Sequence, residues 1–496
     1  MKTMKALKAF LKLTPVILLA GLLLGGVDIL LSAPLATVWA GILAFALDRK
    51  SYKAIYSSAM ENAKNLIDIL FLLMISFAMA EVFMASGVGA SIIEAAMAIG
   101  LTGTTVASAS LLVTAILSVA TGTSWGTFAA CVPVFLWLSH IVGGSPLLTV
   151  AAIAGGCCFG DNIGLISDTT VLSSGVHNVE VVDRVRHQGS WSLICLAAGF
   201  VVFLVVSGAM GLGGTSGSAA EAIDAIPADV WVTLSEENAS AVTLLEQVRT
   251  GVPMYLLIPL VAVVIMAVAG LGTVICLGAG ILLAFLLGLA AGTLDLSTFG
   301  DLVYAGFSDA GSWTVAMTLW TAAFGGIMSS MNAFDPIVRG VSAIVRNVRQ
   351  LLFCNALLSL FCNAVLGDCT GQIVTMGPII KDMTEREVEA TPEQMYKLRL
   401  RNSTYSDAFG TIGSQLIPWH GYMIYFTGLA ASVYPLYEFT PIKIISANYF
   451  SIIAVVSMLV LTITGWDRFL PGFKVPTEKD GVHLRSQKER AARAEQ

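Results

Sequence analysis

The sequence has little charge. Of its 496 residues, 12% are Asp, Glu, Lys or Arg and 56% are hydrophobic, whereas an ordinary globular domain carries roughly 25% charge. A soluble chain of this size cannot cover its surface with so few charges, and a mean hydropathy of +0.81 agrees. A basic surplus is also missing: a net charge of -6 and a pI of about 5.4 argue against a nucleic-acid partner. The eight cysteines lack the spacing of a zinc site or of a secreted disulfide framework and read as small buried hydrophobes. No clear cleavage site follows the basic segment Met1–Lys12, so the apolar run after it is read as a retained span. What remains is an all-α polytopic membrane protein, with room for about ten to twelve spans at roughly 20 residues per crossing.

The few bases are sorted along the chain. They cluster at Lys2–Lys12, Arg49–Lys64, Arg184–Arg186, Arg339–Arg349, Lys381–Arg401 and Arg468–Arg493, and the positive-inside rule assigns these clusters to the cytoplasm. The base-poor connections Gly87–Gly103, Ser139–Pro146, Gly213–Thr250, Ala291–Gly311 and Ala431–Pro441 then face outward. The chain threads as a cytoplasmic tail over 1–14, a first half over 15–212, an acidic extracytoplasmic linker over 213–250, a second half over 251–465 and a basic cytoplasmic tail over 466–496. The first half holds a re-entrant hairpin over 104–138 and a helix over 147–176 broken at Gly160–Gly164. The second holds a hairpin over 350–380 and a helix over 402–430 broken near Ser406-Asp407. The count is about ten crossings and two hairpins, with both termini on the cytoplasmic side of a cell (inner) membrane.

The halves also match in sequence. Ser124-Trp125-Gly126-Thr127 precedes Pro133 as Cys369-Thr370-Gly371-Gln372 precedes Pro378, 245 residues on. Asp161 and Gly164 match Asp407 and Gly410 at 246, and Met84-Ala85-Ser86 matches Met328-Ser329-Ser330 at 244. With an odd number of crossings in each half, this predicts two inverted-topology repeats, each of about five transmembrane helices plus a hairpin. That architecture builds secondary transporters whose site lies where broken helices meet at the midplane.

Asp161, Asp168, Asp368 and Asp407 fall at or near the breaks and the second hairpin tip. On this threading no Lys or Arg lies inside the membrane. Four buried carboxylates without a basic partner must be protonated in part or share a cation. Asp161, Asn162, Ser124, Thr123, Asp407, Ser406, Thr370 and Asp368 are the candidate ion or substrate ligands. Asp161, Asp168, Asp407 and His420 are the candidate proton carriers. The competing structural use of these residues is helix capping. Glu81 reads as an exposed rim residue, and His140, His177 and His187 as solvated loop residues.

Thr121-Gly122-Thr123-Ser124-Trp125-Gly126-Thr127, Gly160-Asp161-Asn162 and Ser167-Asp168-Thr169-Thr170 resemble the NhaC-type sodium/proton antiporter family, as do Gly410-Thr411 and Ser414–Trp419. The resemblance runs over residues 15–465. It implies a mobile transport domain beside a scaffold, elevator-type alternating access, a homodimer, and Na+ held at Asp161, Asn162 and Ser124. The sequence departs from the family pattern, which has Ser-Pro where Gly164-Leu165 stand, an acidic pair where Asp407-Ala408 stand and Asn where His420 stands. The first reading is therefore a Na+/H+ antiporter, a transporter rather than an enzyme, with no cofactor beyond the transported Na+. The second is a Na+-coupled carrier or exchanger of a small organic acid or amino acid on the same fold. An intramembrane aspartyl protease is set aside, because Cys158 stands where its Gly-x-Gly-Asp motif needs glycine.

Overall fold

The computed structural model describes residues 2–485 apart from 26, 65–66, 99, 166, 214–222, 225–230, 233–234, 236–238, 270 and 332–343. Twenty-one α-helices run through them. In the first half these are α1 (Lys2–Leu24), α2 (Ile29–Asp48), α3 (Tyr52–Lys64), α4 (Ile67–Ala85), α5 (Val88–Ala98), α6 (Val106–Thr121), α7 (Ser124–Ile141), α8 (Pro146–Ile163), α9 (Asp168–His177) and α10 (Val181–Ala209). After α11 (Ala239–Thr250) come α12 (Ile258–Val268), α13 (Thr273–Ala291), α14 (Leu296–Asp309), α15 (Ala316–Ser330), α16 (Val348–Leu366) and α17 (Cys369–Glu387). The chain continues with α18 (Pro392–Thr411), α19 (Gly421–Val433), α20 (Pro441–Ala447) and α21 (Tyr449–Thr464). One short strand pair, β1 (Val388–Glu389) and β2 (His483–Leu484), is antiparallel and ties the segment after α21 to the end of α17.

Two helical hairpins turn in the same way. At the α6–α7 tip Gly122 has φ +68, and at the α16–α17 tip Gly367 has φ +67. A side chain disfavours this left-handed conformation, and glycine removes the penalty. Each glycine N–H closes the preceding helix, Gly122 onto the Ser118 carbonyl and Gly367 onto the Asn363 carbonyl, both at 2.8 Å. The next residue, Thr123 or Asp368, is extended and starts the second arm.

The broken helices are where the expected path is corrected. The first break begins at Gly164, so Asp161 and Asn162 lie in the last turn of α8. The second does not fall at Ser406-Asp407. Helix α18 runs unbroken through both residues to Thr411, and a 3-10 turn over Gly413–Leu416 and Pro418 make the break before α19. Ser and Asp read as breakers because they compete for backbone groups, but here the Asp407 side chain is occupied by a tertiary partner.

The connections expected to face outward also hold helices. Helix α5 leaves α4 at a 67° bend, and α14 fills most of the Ala291–Gly311 connection. A π-helical turn over Ala310–Val315 joins α14 to α15. Glu81, expected on the rim, is buried and accepts from the Ser240 hydroxyl of α11. Among the described residues six helices are long and apolar enough to cross a membrane, or eight if each of two bent pairs counts as one span. This is fewer than the ten anticipated, because stretches such as 252–269 resolve into shorter pieces. Helices α7 and α8 are buried over 89% and 83% of their apolar windows and lie inside the bundle, whereas the α10 window is 28% buried and leaves a broad apolar face outward.

Helix α8 lies against α6 at glycine distance. A Cβ added at Gly156 would sit 2.3 Å from the Leu111 carbonyl oxygen, and one at Gly160 would sit 2.5 Å from the Val119 nitrogen. Ser118 donates to the Cys157 carbonyl at 2.6 Å across this contact. Gly156→Val should therefore push the helices apart and lower stability by about 1–3 kcal/mol. Gly278→Ala, with nothing within 4 Å of the new methyl, should be tolerated. Unfolding midpoints in detergent compare the two, and equal midpoints would contradict this packing.

Candidate ion-binding site

The C-terminal turn of α8, the first hairpin tip and α18 converge on one buried polar cluster. Asp161 is 4% exposed and accepts four hydrogen bonds. Its Oδ2 takes the Ser124 backbone N–H at 3.1 Å, the Ser124 hydroxyl at 2.6 Å and the Tyr422 hydroxyl at 3.4 Å. Its Oδ1 takes the Ser167 hydroxyl at 2.6 Å. Every donor is neutral. Ser124 is the first residue of α7, so the carboxylate meets the positive end of that helix. Ser167 caps α9 and accepts from the Thr170 N–H. Tyr422, from the start of α19, brings the second half of the chain to the same carboxylate.

Asp407 is compensated differently. Its Oδ2 lies 2.6 Å from Nη2 of Arg184, and both side chains are fully buried. This corrects the expectation that no base lies among the four carboxylates. Arg184 is the fourth residue of α10, inside the long apolar helix rather than in a loop before it. Its guanidinium also donates to Thr170 Oγ1 at 2.9 Å, to the Asn162 carbonyl at 3.1 Å and to Gln188 Oε1 at 3.0 Å. Gln188 in turn donates to the Asn162 carbonyl at 3.0 Å and to Asn162 Oδ1 at 2.9 Å. Arg184 and Gln188 thus both satisfy the Asn162 carbonyl, one of those that the end of α8 leaves without a helical partner. Thr170 bridges the two aspartates, 3.1 Å from Asp407 Oδ2 and 3.2 Å from the Asp161 carbonyl.

The structure brings together Asp161, Asn162, Ser124 and Asp407 of the expected set. Thr123 adjoins them, and its carbonyl accepts from Ser118 and Thr127 inside the tip. Ser406 faces the other way, 2.9 Å from His177 Nε2. At the second tip Asp368 caps its own helix, accepting from Gly371 at 2.6 Å, and Thr370 is exposed. No hydrogen bond among the described residues joins either one to Asp161 or Asp407. Asp168 opens α9, but its side chain lies outside the described residues. His420 is buried with both nitrogens engaged: Nδ1 accepts from the Tyr422 N–H at 3.2 Å, so Nε2 carries the proton toward Asn363 Oδ1 at 2.9 Å. His177 and His187, expected in solvent, are buried, and His140 is largely buried against the Tyr434 hydroxyl. Arg184, Gln188, Ser167, Thr170 and Tyr422 were absent from the expected ligand set. Ser167 and Thr170 belong to the Ser167-Asp168-Thr169-Thr170 run, but nothing in the local sequence singles out Arg184. Among the described residues no three His, Cys, Asp or Glu side chains gather as a metal cluster, so a bound ion would rely on hydroxyl, amide and carbonyl oxygens as well.

The pattern of the Na+/H+ antiporter family matches residues 3–185 and 156–466. The chain belongs to that family. It is a multi-pass membrane protein of the NhaC type. It is 24% identical over 331 residues to the Na+/H+ antiporter NhaC of Alkalihalophilus pseudofirmus, a match covering 63% of this chain and 65% of that protein. It is 23% identical over 366 residues to the arginine/ornithine antiporter ArcD of Halobacterium salinarum, covering 72% and 71%. It is 23% identical over 338 residues to the malate-2H+/Na+-lactate antiporter of Bacillus subtilis, covering 65% and 66%. The chain thus spans about two thirds of the length of these curated relatives. All three are named as antiporters, two with Na+ and one with amino acids.

The buried pair makes a stability prediction for this family member. Arg184→Gln leaves Asp407 as an uncompensated buried charge, a loss of about 3–5 kcal/mol. Adding Asp407→Asn should restore most of it. Equal unfolding midpoints for the single and double variants would show that the two groups are not coupled.

Proposed function

We propose that this protein is a Na+/H+ antiporter working by alternating access, with Asp161 as the exchanging carboxylate. The observation that carries the reading is the contrast between the two aspartates. Asp407 has a fixed cation, Arg184, at 2.6 Å. Asp161 has only neutral donors. Rotation of the Ser124, Ser167 and Tyr422 hydroxyls turns each from donor to acceptor. With the Asp161 carboxylate they then form an oxygen cage suited to Na+, a hard cation. When Na+ leaves, a proton neutralises Asp161 and the hydroxyls turn back. Asn162 contributes through its place in the same turn of α8.

In this reading the two halves are inverted repeats. The matching tip geometry at Gly122 and Gly367 supports that, as does the break after each of α8 and α18. The remaining parts of the proposal are elevator-type movement, a homodimer, placement in the cell inner membrane with both termini cytoplasmic, and no cofactor beyond the transported ions. The second reading, exchange of a small organic acid or amino acid with Na+ coupling, is favoured by the substrates in the names of two relatives.

Proteoliposomes separate the two readings. Na+-dependent proton flux without any organic solute is expected for the antiporter, and its absence at every pH would leave only the organic-solute reading. Asp161→Asn should abolish the flux, and flux at the level of the unaltered chain would remove Asp161 from the mechanism.

A further inference from the structure

An apolar groove of about 570 Å³ opens on the outer face of the bundle between α2, α3 and α15. It is lined by the small residues Gly41 and Ala59 and by the aromatic residues Phe45, Tyr52, Tyr56 and Trp320. The lining residue Thr37 turns its hydroxyl back to the Ala33 carbonyl at 2.7 Å, so the part of the groove beside the aliphatic residues offers contact to hydrocarbon. Phe45, Tyr52 and Tyr56 are 64%, 78% and 54% exposed. The two tyrosine rings stack at 6.1 Å, an arrangement suited to the headgroup level of a bilayer.

Bases adjoin the groove residues Phe45 and Tyr52 in sequence. The turn between α2 and α3 lies in sequence between the lining residues Phe45 and Tyr52 and contains Arg49 and Lys50; Lys53 follows Tyr52. Arg49 and Lys53 are exposed, and no ion pair among the described residues engages any of these three bases. The neighbouring carboxylate, Asp48, does not neutralise them, because it is held by Lys12 at 2.8 Å and Lys8 at 3.2 Å. Basic clusters at the end of a membrane helix attract anionic headgroups, at about 1 kcal/mol for each base near the surface.

From this juxtaposition of an apolar groove and an unneutralised basic turn, we propose that the groove is a binding site for an anionic phospholipid, with an acyl chain along Gly41 and Ala59 and the headgroup at Arg49, Lys50 and Lys53. The occupant would hold α2, α3 and α15 together where their own side chains leave a gap. The site is remote in the chain from Asp161 and Asp407 and does not rest on their role.

Native mass spectrometry of the full chain in detergent tests this, using an equimolar titration of phosphatidylglycerol and phosphatidylcholine with the same acyl chains. The expected result is a preference for phosphatidylglycerol of about five-fold or more, falling to parity in the triple variant Arg49→Gln, Lys50→Gln, Lys53→Gln. Gly41→Phe fills the groove and should lose both lipids. Ala59→Leu is the second groove variant, and unfolding midpoints verify that each is folded. Equal retention of the two lipids by the unaltered chain overturns the proposal, as does an unchanged preference in the triple variant. Lipid retention undiminished in both groove variants overturns the acyl seat. Crosslinking of two copies through Val38→Cys with the groove lipid-free overturns it in favour of a second copy of this chain.

Discussion

The site depends on one constraint: a carboxylate taken out of water must be answered by charge or by directed hydrogen bonds. The chain answers it twice, in different ways, within one cluster. Asp407 receives a guanidinium, whose other donors hold the end of α8 and the Thr170 hydroxyl. Asp161 receives a helix-end N–H and three hydroxyls. Because these hydroxyls come from α7, from the α8–α9 connection and from α19, three separate elements must converge before Asp161 is satisfied. The glycine contacts of α8 on α6 make that convergence close enough, since the break that follows α8 is set by where α8 packs.

The two hairpin tips share a backbone and differ in their chemistry. Gly122-Thr123 and Gly367-Asp368 have nearly the same conformation. At the second tip the capping carboxylate, Asp368, satisfies the new helix from within. At the first tip Thr123 makes no side-chain cap, and the N–H of Ser124 is turned onto Asp161 instead. Replacing a self-sufficient cap by one supplied from α8 turns a structural turn into part of a site. Two hairpin tips can thus share a shape while only the first donates to the buried cluster.

Local patterns carried much of this into the sequence. A glycine between two apolar arms marks a tip, and Asp161 beside Asn162 within an apolar run marks a buried polar turn. The family motifs pointed to Ser124 and Asp161 together. Arg184 was not legible. The positive-inside rule treats every base as solvated, and what buries this one is a carboxylate 223 positions away in sequence. The same long-range pairing hid the true end of α18: Ser406-Asp407 looks like a breaker only while its tertiary partners are unknown. Helix α14 was missed because its mixed polar and apolar sequence reads as a loop until it packs on α4. Its Gly306 lies so close to α4 that a Cβ would stand 2.4 Å from the Ala78 Cα. Each miss is a case in which the deciding contact is distant along the chain.

The division of labour between the two aspartates bears on coupling under the proposed reading. With Arg184 against Asp407, that pair contributes no net charge to the cluster. Asp161 loaded with Na+ or with a proton is also neutral, so both loaded forms are free of net buried charge. The empty form leaves one bare carboxylate in a low-dielectric interior, which is strongly disfavoured. Reorientation is then easy with either ion aboard and hard with neither. That asymmetry is the physical condition for exchange rather than leak, and it requires one uncompensated carboxylate in the cluster, not two. A base beside Asp161 would remove the penalty on the empty form and with it the coupling. Under that reading, neutral donors on Asp161 among the described residues matter to exchange as much as Arg184 beside Asp407 does.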